Sequence, residues 1–348
     1  MARLRRVDST SPGLTRRRSG KGFTYLKADG SRVPGEARAR IEALAIPPAW
    51  IDVWICPDEN GHLQAVGTDA AGRRQYLYHE RWRKRRDQEK FDHALEFARA
   101  LPRLRAESTK HLALEGFPAE RVLACATRLL DRGFFRVGSE SYAEQNGSYG
   151  LATMKKRHAR VDGDEVVFDY LAKGGKHRVQ SIVDPAVAEV VHALKRRRAG
   201  GPELLAYRAQ DGWHDVRSND INEYLREITG GLFSAKDFRT WHATVLAAAF
   251  VAQSDGAQTR AATKTSRKRA VSGAVRRVSE YLGNTPAVCR ASYIDPRVFD
   301  RFRAGHTIAG VVRNLDPQAP VRPGVQARIE EAVLDLLEDP AGRLPKAA

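Results

Sequence analysis

LGNTPAVCRASYIDP, residues 282–296, carries one tyrosine, Tyr293, nine residues after an amide, Asn284. The stretch reads as a turn followed by a short helical segment. A tyrosine in such a place is either core or a nucleophile. As a phosphoryl acceptor it needs positive charge nearby to favour the phenolate, since an unperturbed phenol titrates near about 10. The chain has ten tyrosines, so Tyr293 taken alone is an ordinary one. Three earlier segments supply the cations that would change that reading: FFRVGSESY around Arg136, DYLAKGGK around Lys173 and AKDFRTWH around Arg239.

Planar guanidinium forks suit the non-bridging oxygens of a phosphodiester, where charge gathers in the transition state. Arg136 follows an apolar helix, and Arg239 is expected to begin one. Either could be a plain salt-bridge partner; it is their joint occurrence that carries weight. Lys173 is expected in a hairpin turn whose glycines let the backbone bend tightly and the lysine project, either to protonate a leaving oxygen or only to touch phosphate.

The bulk properties agree with an anionic partner. The 348 residues suffice for two domains, and 59 Lys and Arg against 42 Asp and Glu leave a net charge of +17, which favours a polyanion. Nucleic acid is the first candidate and anionic membrane the second. The apolar run VLAAAFVA, 245–252, is too short to span a bilayer, so a soluble protein is expected, and with nucleic acid as partner a cytoplasmic one at the nucleoid. Cys56, Cys125 and Cys289 are three in number, with no C-x-x-C pair, which argues against disulfides and thiolate zinc. No H-E-x-x-H occurs, and SGKG at 19–22 lacks the spacing and the Ser or Thr of a phosphate loop, so neither a catalytic metal nor ATP is expected.

Along the chain, residues 1–22 read as a flexible basic arm. Turn signals at 27–32, 47–48, 57–62 and 69–74 separate the strand candidates WIDVWIC, LQAVGT and RQYLYH, giving a small β-rich domain over 23–85. The remainder, 86–348, reads as mainly helical. It opens with QEKFDHALEFARALPRL and PAERVLACATRLLDRGFF, then holds a three-stranded antiparallel sheet built from YGLATMKKRHARV, EVVFDYLAK and HRVQSIV. From residue 185 onward only helices are expected, among them SNDINEYLREIT capped by Ser218, and AVSGAVRRVSEYLG ended by Gly283. The fold class is α+β.

The four segments together resemble the type IB DNA topoisomerases, in the small form of poxviruses and bacteria. Arg136, Gly138 and Tyr142 match an R-x-G-x-x-x-Y segment, Lys173 the hairpin general acid, and Lys236, Asp237 and Arg239 a K-D-x-R-T segment. Gly283-Asn284-Thr285-Pro286 matches a G-H-T-P segment, and Tyr293 the nucleophile. GRRQYLY, with Arg73, Gln75, Tyr76 and Tyr78, is similar to the family's DNA-contacting strand. The likeness spans nearly the whole chain beyond the arm. It departs at Asn284, where many members have histidine; an amide can donate a hydrogen bond but carries no charge.

The resemblance implies a catalytic domain of the tyrosine recombinase and type IB topoisomerase kind, in a monomer that closes on double-stranded DNA as a C-shaped clamp. It implies relaxation of supercoils through a 3′-phosphotyrosyl link, without ATP or divalent metal. Arg136 and Arg239 would stabilise the transition state, Lys173 would protonate the leaving 5′-oxygen, and Asn284 would hold a non-bridging oxygen. Gln75, Tyr76, Tyr78, Arg73, Gly138, Tyr142 and Lys236 would contact DNA. Two alternatives stay open: a tyrosine recombinase, which works as a tetramer at paired sites, and a non-catalytic DNA-binding protein, to which charge alone points equally well.

Overall fold

The computed structural model describes residues 3–254, 263–312 and 323–338. The chain divides into two units, 1–90 and 91–348.

The first unit is a five-stranded antiparallel sheet with one helix. Its elements are β1 (Leu14–Ser19), β2 (Gly22–Leu26), α1 (Gly35–Ala43), β3 (Ile51–Ile55), β4 (Leu63–Thr68) and β5 (Arg74–Tyr78). The strand order is β2-β1-β3-β4-β5. Leu14, Ile41, Ile46, Val53, Ile55 and Ala65 form its core.

This corrects the expectation of a flexible arm over 1–22. Order begins before Phe23, and β1 is an interior strand paired with both β2 and β3. The charge-based reading failed because an arginine can be consumed by backbone. Arg16 donates to the carbonyls of Ile46 (3.0 Å), Pro47 (2.9 Å) and Trp50 (2.7 Å), and its guanidinium lies 4.2 Å from the Phe23 ring centroid.

The second unit is mainly helical. The first unit's last residues already belong to α2 (Glu80–Leu112), which is followed by α3 (Ala119–Gly133) and α4 (Glu140–Asn146). Strands β6 (Ala159–Asp162), β7 (Glu165–Ala172) and β8 (Lys176–Val183) then form an antiparallel sheet in that order. Next come α5 (Pro185–Arg196), β9 (Ala206–Ala209), β10 (Gly212–Asp215), α6 (Ser218–Thr229) and α7 (Ala235–Ala252). The series ends with α8 (Lys264–Leu282), α9 (Pro286–Ser292), α10 (Pro296–Arg303), α11 (Ala309–Val312) and α12 (Pro323–Glu338). Helix α7 is apolar nearly all round and buried nearly all round, as the central helix of a bundle must be. The expected basic segment over 259–277 is helical from Lys264; its first residues lie outside the described ones.

Three local expectations are corrected. The chain after residue 185 is not wholly helical, because β9 and β10 form a hairpin of four-residue strands, too short for periodicity to register. Ser218 is the first residue of α6, and Arg217 takes the cap position, its N–H bonded to Asp220. Arg239 does not begin its helix. The Asp237 carboxylate accepts from the Ser234 N–H (2.8 Å) and hydroxyl (3.0 Å) and α7 starts at Ala235, which sets Arg239 in the second turn and buries it.

One polar network joins distant parts of this unit. Arg105 of α2 forms paired hydrogen bonds with Asp131 of α3 (2.8 Å each) and with Glu330 of α12 (2.6 and 2.9 Å). Burial raises the Asp131 carboxyl, but His242 at 3.5 Å and Arg105 outweigh it and hold the group well below the usual carboxylate range.

Candidate active site

The end of α8 builds one wall of the site. Gly283 sits at φ 63° with its N–H on Glu280, and the Asn284 N–H reaches back to Ser279 (3.1 Å), a Schellman turn. Thr285 then caps α9 through the Val288 N–H, and Pro286 fills the first helical position. Asn284 is thus fixed between two helix ends. Seven helical residues later the chain leaves α9 at Tyr293, whose N–H still bonds Cys289 (3.0 Å). Thr244 of α7 accepts from the Asp295 N–H (3.1 Å) and donates to the Tyr293 carbonyl (3.4 Å), tying the tyrosine's backbone to the central helix.

The arginines meet this wall. Helix α3 ends with Phe134 in the left-handed region, φ 55°, and its carbonyl accepts from Arg239 (2.7 Å). The other prong of Arg239 holds the Leu282 carbonyl (2.9 Å), and its guanidinium lies 5.3 Å from the Tyr293 ring centroid. Arg136, two residues past Phe134, donates to the Asn284 side-chain oxygen. Among the described residues the Asn284 amide nitrogen and the Arg239 Nε are buried without a partner. Burial, and then the charge of Arg136, push the Arg239 guanidinium down to about 10, with Tyr293 opposing. Crowded cations beside unused donors are groups that an anionic phosphate would satisfy.

Four of the five expected catalytic residues, Arg136, Arg239, Asn284 and Tyr293, therefore come together. Lys173 is placed differently. It is exposed at the tip of the β7–β8 hairpin, where Gly174 and Gly175 have φ 79° and 69°, and its ammonium lies 5.2 Å from the Tyr142 ring centroid. Gly138, φ 84°, packs on Gly150; a Cβ there would fall 2.9 Å from the Gly150 Cα, so this glycine is required by backbone packing. Lys236 is exposed in the first turn of α7.

On β5 the expected DNA-contacting residues divide between two faces. Tyr76 and Tyr78 are exposed, their rings stacked at 6.2 Å, whereas Gln75 alternates to the other face and bonds Asp69 (2.9 Å). Arg73 pairs with the same Asp69 carboxylate (2.8 Å).

Sequence reasoning passed over Arg178 and Tyr170. The Tyr170 phenol is raised by burial, against the charges of Arg178, Arg136 and Arg239, so all four groups lie within electrostatic reach. A signal existed: β8 has inverted polarity. Arg178 and Gln180 face inward, while Val179 and Val183 are 60% and 68% exposed.

Comparison with known proteins fits this geometry. The family described as "Eukaryotic DNA topoisomerase I, catalytic core" matches residues 79–304. The DNA topoisomerase 1B of Acanthamoeba polyphaga mimivirus is 30% identical over 291 residues, covering 81% of this chain and 85% of that protein. The chain belongs to the type IB DNA topoisomerases. Residues 22–69 match the family described as "Bacterial DNA topoisomerase IB, N-terminal domain". The DNA topoisomerase 1B of vaccinia virus (strain Copenhagen) is 20% identical over 238 residues, 68% of this chain and 72% of that one. As a type IB topoisomerase this protein is a DNA-binding isomerase. Among its described residues no cluster of three or more His, Cys, Asp or Glu could hold a metal, and no helix is long and apolar enough to cross a membrane.

Proposed function

We propose that this type IB topoisomerase relaxes supercoiled duplex DNA by transient cleavage of one strand. The observation that carries the reading is the convergence of Tyr293 and Arg239 with the Arg136–Asn284 pair. Tyr293 Oη attacks a backbone phosphorus, the P–O5′ bond breaks, and a 3′-phosphotyrosyl link forms. The phenolic proton passes to water, and Lys173 gives its proton to the departing 5′-oxygen. Arg136 and Arg239 take up charge on the non-bridging oxygens, and the unpartnered Asn284 amide donates to one of them. The free end rotates, and the 5′-hydroxyl then attacks the phosphotyrosine to restore the strand. One phosphodiester replaces another of similar energy, so neither ATP nor a divalent metal enters.

The β-rich first unit and the mainly helical second unit both contribute DNA contacts in this reading. Tyr76 and Tyr78 meet the duplex directly, with Arg73, Gln75, Gly138, Tyr142 and Lys236 at or beside the backbone. The enzyme acts as a monomer on one duplex, in the cytoplasm at the nucleoid.

Relaxation of supercoiled plasmid in EDTA without ATP, by the unmodified protein and by Tyr293→Phe, tests the proposal. Relaxation by the first alone, with DNA binding kept by both, is the expected result. Tight binding without relaxation by either would overturn it and favour a site-specific recombinase or an architectural protein.

A further inference from the structure

The carbonyl end of α8 is gripped by side chains from outside the helix. Arg178 of β8 donates to the carbonyls of Tyr281 (2.7 Å) and Glu280 (3.3 Å), and Lys176 of the same strand reaches that of Gly283 (3.4 Å). Arg239 holds Leu282 between them. Four consecutive carbonyls are thus met by cations, the charge that a helix C-terminus favours. Gly283 suits this turn on two counts. Its φ of 63° disfavours a side chain, and a Cβ would lie 2.4 Å from Arg178 Nη1, so the guanidinium occupies the space a side chain would take. The next residue is Asn284.

We infer that Arg178 is a positioning residue that locks the Gly283–Asn284 turn to β8, so that the Asn284 amide is already aimed when the phosphate arrives. The inference rests on Asn284 being a transition-state donor, as proposed above. A guanidinium suits the task because its planar fork is pre-organised to span two successive carbonyls, which the point charge of an ammonium is not. The arrangement also explains a polar residue on the inward face of a strand that turns valines to solvent. Without Arg178, Asn284 keeps its own backbone turn but loses the tether that sets the turn against the sheet. A shift of about 1 Å in such a group costs up to about a hundredfold in rate.

A double-mutant cycle on the full-length protein provides the test. Single-turnover cleavage of prebound duplex DNA is compared for the unmodified protein, Arg178→Ala, Asn284→Ala and the double variant. Asn284→Ala is expected to slow cleavage about 10²- to 10³-fold and Arg178→Ala about 10- to 100-fold, with DNA affinity unchanged, and the double variant to be no slower than the slower single. A structural role alone would weaken DNA binding and multiply the two losses. Full-rate cleavage by Arg178→Ala, or multiplicative losses, overturns the inference and leaves the Asn284 assignment standing. Full-rate Asn284→Ala overturns both. If Arg178→Ala does not fold, Arg178→Lys, which reaches one carbonyl, should give the same non-additivity at smaller amplitude.

Discussion

Arg136 donates to the side-chain oxygen of Asn284, and this orients the Asn284 amide nitrogen, which has no partner among the described residues. The guanidinium sets which end of the amide faces away from it, so in the proposed reaction the two residues work as a pair on one phosphate.

Replacing Asn284 by Ala should slow cleavage about 10²- to 10³-fold, the usual cost of one oxyanion donor. Asn284→His should retain activity but acquire a new pH dependence. The imidazolium is the better donor, so its rate should fall as pH rises through about 6.5. A flat profile for that variant between pH 5 and 8 would show that residue 284 does not meet the phosphate.

Lys173 is exposed on a glycine hairpin. As general acid its loss should cost about 10²- to 10⁴-fold with an ordinary phosphodiester. With a 5′-thiol leaving group, which departs unprotonated, Lys173→Ala should cleave nearly as fast as the unmodified enzyme. An equal deficit on both substrates would remove Lys173 from that role.

Asp131 lies 6% exposed between Arg105 and His242, with its carboxyl held below the ordinary range. A depressed carboxyl contributes stability in full above its unfolded value of about 3.9, and loses it as pH falls from there through the folded value. Asp131→Asn should therefore cost about 3–5 kcal/mol at pH 7, where it leaves Arg105 partly unpaired. Urea denaturation should show the gap between the two proteins narrowing below about pH 4. A gap independent of pH would mean that the cost is one of packing.

Tyr76 and Tyr78 stack on each other at the surface, 50% and 39% exposed. Replacing both by Ala should weaken duplex binding several-fold and leave the unfolding free energy within the range of neutral surface changes, about ±0.5 kcal/mol. A large loss of stability would instead make them part of the first unit's fold.

Much of this protein was legible in its sequence because local rules govern it. The β3, β4 and β5 strands are short runs between turn signals, α3 and α6 follow helical spacing, and Gly283 marks a helix end. The resemblance carried by the four segments named Arg136, Lys173, Arg239, Asn284 and Tyr293 as a set. Tertiary structure decided what each polar group spends its hydrogen bonds on. Composition treats every arginine alike, yet Arg16 is spent on three carbonyls in the first unit, Arg105 on two buried carboxylates, and Arg178 on the end of α8. A hydrogen bond to a backbone carbonyl distant in sequence depends on packing alone, and no periodicity or motif encodes it. For the same reason the sequence could name Asn284 as a departure, but only the folded chain shows its oxygen taken by Arg136 and its nitrogen left free to donate.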